Sequence, residues 1–168
     1  MHLLLLMHSL ALAAPTGWTT RTERIVGSRS LTIVSRPAEA DVVGWPDDHH
    51  ERPELRLKCD RGRWELTVRT VLRVDAAGDL YDDAFATAQV RLDDAPWEPL
   101  RMRRVLDGDA LQFRKPKPAL ADLLAAHTFG FSFVPFASPP TTTTFDLTGL
   151  EEALRAGAPS CPLPSTGR

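Results

Sequence analysis

The chain has only two cysteines, one tyrosine and three lysines among its 168 residues. It has no apolar run of the ~20 residues that a bilayer-spanning helix requires and no internal repeat. Its basic residues are interleaved with acids around a formal net charge of −2, so there is no basic stripe for a nucleic-acid partner to follow. No G-x-S-x-G elbow, H-x-x-x-H pair or glycine-rich phosphate loop occurs. The sequence therefore nominates no catalytic residue and no cofactor, and the reading leans to a non-enzymatic protein. The length suits one domain with a core of its own. With 14 prolines and several Thr/Ser-rich stretches, short strands and loops are favoured over long helices.

What is present is period-two patterning, the mark of half-buried antiparallel strands. It is clearest from Glu54 to Asp75. Leu55, Leu57 and Cys59 alternate with Arg56, Lys58 and Asp60; after Arg61-Gly62 the alternation resumes with Trp64, Leu66, Val68, Thr70, Leu72 and Val74. A two-residue turn at 61–62 sets Asp60 opposite Arg63, Cys59 opposite Trp64, Leu57 opposite Leu66 and Leu55 opposite Val68, so apolar meets apolar on one face. Trp64 is assigned to the core. Further strands are expected over 31–34, 40–43, 84–92, 97–105, around Leu111 and Phe113, over 128–133 with Phe129, Phe131 and Phe133 on one face, and over 141–145.

Gly44 to Pro53 reads as a polar loop. A short helix is expected at 118–126, and a second over about 149–156, where Thr148 and Glu151 fit a capping box and Gly157 a stop. Mainly β, as an antiparallel β-sandwich or curled sheet with two short helices, one of them C-terminal, is the fold class this implies.

The start of the chain reads as a secretory signal over 1–14. Leu3 to Ala14 is a mostly apolar stretch of 12 residues, and Ala11-Leu12-Ala13 fits a small-x-small cleavage site. Export agrees with a disulfide between Cys59 and Cys161, the alternative being two free buried thiols. The expected organisation is a signal over 1–14, a β-rich domain over 15–161 and a disordered tail over 162–168. The expected location is periplasmic or secreted, with no stable membrane insertion once the signal is removed.

Three pieces in order carry a resemblance: Pro53-Glu54-Leu55-Arg56-Leu57-Lys58-Cys59; Val90-Arg91-Leu92-Asp93 followed by Pro96-Trp97; and Phe145-Asp146-Leu147-Thr148-Gly149-Leu150-Glu151-Glu152-Ala153-Leu154 with Cys161 beyond. Over roughly 53–161 the chain resembles the VasI-like periplasmic accessory proteins associated with type VI secretion systems and their exported relatives. Thr148 stands where that pattern has serine, and nothing before residue 53 matches it. The resemblance implies the β fold, the cysteine pair and an envelope or secretion-system protein as partner.

Two surface features are candidates for binding. Arg101, Arg103 and Arg104, with Arg114, Lys115 and Lys117, form a candidate basic patch for an acidic protein or a cell-wall carboxylate. Trp45 and Trp97, in or near loops, are candidate interface anchors, as is Trp18. The competing class is a cell-wall or metal-dependent hydrolase whose ligands come from Asp47-Asp48-His49-His50-Glu51. Adjacent loop side chains seldom converge on one ion, so a solvated acidic loop is the plainer reading of His49, His50 and Asp48. The carboxylate pairs Asp82-Asp83 and Asp93-Asp94 sit where turns favour Asp. His127 is expected near the end of the first helix, either as a base or as a cap on that helix's last carbonyls.

Overall fold

The computed structural model describes residues 17–24, 30–44, 49–75 and 84–165. Among these residues there are eleven strands: β1 Thr19–Arg24, β2 Ser30–Pro37, β3 Val42–Gly44, β4 His49–Glu51, β5 Glu54–Asp60, β6 Arg63–Arg69, β7 Phe85–Leu92, β8 Glu98–Val105, β9 Ala110–Gln112, β10 Thr128–Phe133 and β11 Thr141–Asp146. Two helices accompany them, α1 Pro116–Ala125 and α2 Leu150–Gly157. Nine strands form one antiparallel sheet in the order β1-β2-β5-β6-β9-β8-β7-β10-β11, and β3 and β4 form a separate two-stranded ribbon.

The β5–β6 hairpin is the middle of this arrangement. Its pairs are Asp60 with Arg63, Cys59 with Trp64, Leu57 with Leu66 and Leu55 with Val68, the register expected from the alternation. Arg61 and Gly62 have φ of 50° and 74°, the left-handed pair that a tight two-residue hairpin turn requires. The second strand is shorter than its pattern suggested. Val71 takes φ 59° and breaks it after Arg69. The chain then bonds elsewhere, with the Val74 N–H donating to the Gly108 carbonyl at 2.9 Å.

The sheet curls so that its two ends approach without closing. The Glu39 N–H donates to the Thr144 carbonyl at 2.9 Å, Arg36 pairs with Asp146 at 2.5 Å, and Trp18 Nε1 donates to the Thr148 carbonyl at 3.0 Å. Inside the curl lie Leu55, Leu57, Leu66, Val68, Met102 and Leu111, all fully buried. They meet a ladder of phenylalanine rings from β10 and β11: Phe129, Phe131, Phe133 and Phe145, with neighbouring ring centres 5.8 to 5.9 Å apart. Helix α1 lays Leu120 and Leu123 into this core, and α2 packs its Leu150, Ala153 and Leu154 stripe on the β1–β2 end.

Several local expectations are corrected. Helix α1 begins at Pro116, two residues early, because a proline in the first turn forgoes only a donor that has no helical acceptor. The stretch expected as a loop from Gly44 to Pro53 includes β4, which pairs with β3. Strand β1, TTRTER, has no apolar periodicity and was not anticipated; its pairing with β2 defines it. The capping box at α2 does not form. Gly149, at φ 75°, precedes the helix without a side-chain cap; Asp146 Oδ1 accepts the Thr148 N–H at 2.8 Å, while Glu151 pairs with Arg155 at 2.6 Å. The tail expected from 162 is docked at its start. The Pro162 carbonyl accepts Trp64 Nε1 at 3.0 Å, and Leu163 packs against the core. The expected signal over 1–14 lies outside the described residues.

Candidate functional site

Cys59 sits on the inward face of β5, and Cys161 follows α2. The two form a disulfide with Cα atoms 5.9 Å apart across 102 residues of sequence. Both are buried, with Ala158 beside them and Trp64 packed against the group. Trp64 is thus adjacent to the bond as expected, but half-buried rather than wholly in the core.

The basic patch is split by strand alternation. On β8, Arg101 and Arg103 project outward to either side of buried Met102, while Arg104 lies on the opposite face of the strand, half-buried. A Cβ placed on Gly108 would come within 2.8 Å of Arg104 Nη2. The outward pair meets Phe85 of β7, whose backbone pairs with Arg103. Arg101 Cζ lies 4.8 Å from the Phe85 ring centre and Arg114 Cζ 5.3 Å from it, so one ring holds two guanidinium groups by cation–π attraction. Next to it a shallow depression of about 510 Å³ is lined by Arg63, Trp64, Phe85, Arg103 and Arg114, and by the carboxylates Asp60 and Glu65.

Around the corner lies a larger groove of about 800 Å³ between α1 and the β7–β8 hairpin. Its origin is visible along the strands. Ala86 and Ala88 on β7 are buried, whereas Val90 and Leu92, further along the strand, are half-exposed. On β8, Met102 is buried and Leu100 half-exposed. Helix α1 packs on β6 and leaves this end of the hairpin open. Phe113, Leu123 and Phe129 complete the apolar lining, with Arg91, Arg101, Arg114, Lys115, Glu98 and Asp122 also bordering the groove.

Trp97 is 37% exposed, with Arg91 Cζ 4.8 Å from its ring centre. Gly130, opposite Arg91 in the register, gives the ring room: a Cβ there would come within 3.0 Å of Trp97 Cη2. Trp97 therefore lies along the sheet surface. Trp18 is buried. Trp45 and Asp48 lie outside the described residues, as do Asp82 and Asp83. His49 and His50 fall on β4, opposite Gly44 and Val43. No group of three His, Cys, Asp or Glu side chains that suits a metal ion occurs among the described residues.

Asp93 and His127 have a structural part. Asp93, at φ 50°, accepts the backbone N–H groups of His127 and Thr128 on Oδ1, each at 2.8 Å. These two bonds, Thr128's first, hold its carboxyl below the usual carboxylate value of 3.8. The His127 ring is exposed, with Nδ1 3.8 Å from Asp93 Oδ2, so it faces this carboxylate. Asp146 is also held below 3.8: burial pushes it up, but the hydroxyl and backbone N–H of Thr148 and the Arg36 cation outweigh that. A carboxyl whose folded-state pKa is depressed stabilises the fold above its unfolded pKa, and that contribution is lost as pH falls through the folded value. Thermal stability is therefore expected to be flat from pH 7 to about 5 and to fall below about 4. An Asp93→Asn/Asp146→Asn variant should show a weaker fall, measured by melting curves across pH; an identical fall in both proteins would remove these groups as its cause.

A curled, open antiparallel β protein stapled by one disulfide is the class these features define. No helix among the described residues is long and apolar enough to cross a membrane. No family model matches the chain, and no curated protein matches it. Among solved structures it is similar to the crystal structure of invasion associated protein B from Bartonella henselae, at 12% identity and TM-score 0.53, covering 84% of this chain and 91% of that one. At this identity the likeness shows the fold alone, and the sequence resemblance to VasI-like proteins has no family match beside it.

Proposed function

We propose that the protein is exported and serves as a non-enzymatic binding module of the cell envelope, holding an acidic partner protein against the arginine face of β7 and β8. The observation that carries this reading is the set of Arg63, Arg101, Arg103 and Arg114 gathered around Phe85 and Trp64. Arginine and aromatic side chains are the residue types that dominate binding hot spots. A buried disulfide supports an oxidising compartment. The sequence resemblance makes an accessory role beside a type VI secretion system the leading specific assignment. The distant structural likeness is to a protein named for an association with invasion.

The test is recovery from native envelopes by crosslinking, comparing the wild type with Arg63→Glu/Arg103→Glu. Both side chains face solvent, and circular dichroism checks that the variant keeps the fold. The double reversal is expected to weaken a specific partner by at least about tenfold and to abolish the salt dependence of capture. Equal capture by both proteins would reject the arginine face. The competing hydrolase makes a different demand: stoichiometric metal on the purified protein, lost in His49→Ala/His50→Ala, would replace the binding reading.

A further inference from the structure

The groove under α1 is where the fold leaves its own core uncovered. Val90, Leu92 and Leu100 continue the inward faces of their strands beside buried Ala86 and Ala88 on β7 and buried Met102 on β8, yet they stay half-exposed because no element among the described residues covers them. Apolar surface left open in a concave site is the usual lining of a small-molecule pocket, and about 800 Å³ lies within the range of such pockets. The charges bordering it are unequal: four cations, Arg91, Arg101, Arg114 and Lys115, against two carboxylates, Glu98 and Asp122. Arg101 and Arg114 are steadied against Phe85, which lessens the side-chain entropy lost when an anion is gripped.

We propose that this groove binds a single-chain anionic amphiphile, a long-chain carboxylate whose tail lies along Val90, Leu92 and Leu100 and whose head meets Arg114 and Lys115. This goes beyond the acidic-partner reading and does not rest on it: Arg101 and Arg114 belong to both sites, but Arg63 and Arg103 take no part in the groove.

The probe is 11-(dansylamino)undecanoic acid, titrated into the full chain and followed by fluorescence. Saturable binding at one site per chain is expected, displaced by oleate and at least tenfold less well by oleyl alcohol. Leu100→Trp, which fills the groove, should abolish binding, and Arg114→Glu/Lys115→Glu should weaken it at least tenfold, with each variant's fold checked by circular dichroism. If Leu100→Trp does not fold, Leu92→Trp, from the neighbouring strand β7, takes its place. Absence of saturable binding, or undiminished binding by a folded groove-filling variant, overturns the proposal. Displacement by oleyl alcohol as good as by oleate, or by inorganic phosphate alone, overturns the anionic amphiphile as the ligand. Loss of binding in Arg63→Glu/Arg103→Glu would place the probe on the arginine face and overturn the groove assignment.

Discussion

Paired replacement of the two sulfurs, Cys59→Ala/Cys161→Ala, is expected to lower the unfolding free energy by about 4 kcal/mol and the melting temperature by about 10 °C. The bond spans 102 residues of sequence, so in the unfolded chain it closes a loop containing β6 through α2. Loops of this length lose the most freedom on crosslinking. The native state also needs the bond locally. Helix α2 has eight residues, too few to persist in water on its own, and it is docked by three apolar side chains at the β1–β2 end of the sheet. Beyond it, the Pro162 carbonyl accepts Trp64 Nε1, and Trp64 packs against the sulfurs. Guanidinium unfolding of the oxidised protein and the double variant decides the matter. The variant should unfold at lower denaturant with a steeper dependence, because its unfolded chain exposes more surface. Coincident midpoints would show that the bond is dispensable. Thiol titration of denatured, unreduced wild type should find no free sulfhydryl.

The hairpin at 54–69 was legible in the sequence because one face is buried and the other wet, and a slip of one residue would invert both. The phenylalanine face of β10 was legible for the same reason. Strand β1 was not: Thr, Arg and Glu bury nothing that alternates, and its place at the sheet edge is decided by β2. The α2 cap differs from its local pattern: the sequence permits a Thr148–Glu151 box, whereas the tertiary fold uses the Thr148 carbonyl to receive Trp18 Nε1 and turns the chain at Gly149. Of the basic patch, Arg101 and Arg103 followed from strand period, but their gathering with Arg63 and Arg114 around Phe85 joins β6, β7, β8 and the entry to α1. No local pattern reports such a meeting. The groove was invisible for a related reason: nothing in the strand patterns over 84–92 and 97–105 sets Val90, Leu92 and Leu100 apart, and the path of α1 leaves them open.

Truncation of the central ring, Phe131→Ala, is expected to cost about 4 kcal/mol. Phe131 is wholly buried. Its backbone lies between Val90 on β7 and Thr143 on β11, and its ring centre is 5.9 Å from that of Phe129 and 5.8 Å from that of Phe133. The alanine would leave a space bounded by strands whose hydrogen bonds hold them apart, so the cavity cannot collapse and the loss is larger than the transfer term alone. Phe131→Leu keeps most of the volume and should cost only about 1–2 kcal/mol. Exposed Thr142 on β11 supplies the contrast, and Thr142→Ala should stay within about 0.5 kcal/mol. Chemical denaturation of the three variants reads these values directly. A Phe131→Ala cost near that of Thr142→Ala would mean that the phenylalanine ladder faces solvent. The sheet would then not curl around it, and neither the arginine face nor the groove beside α1 would have the geometry described.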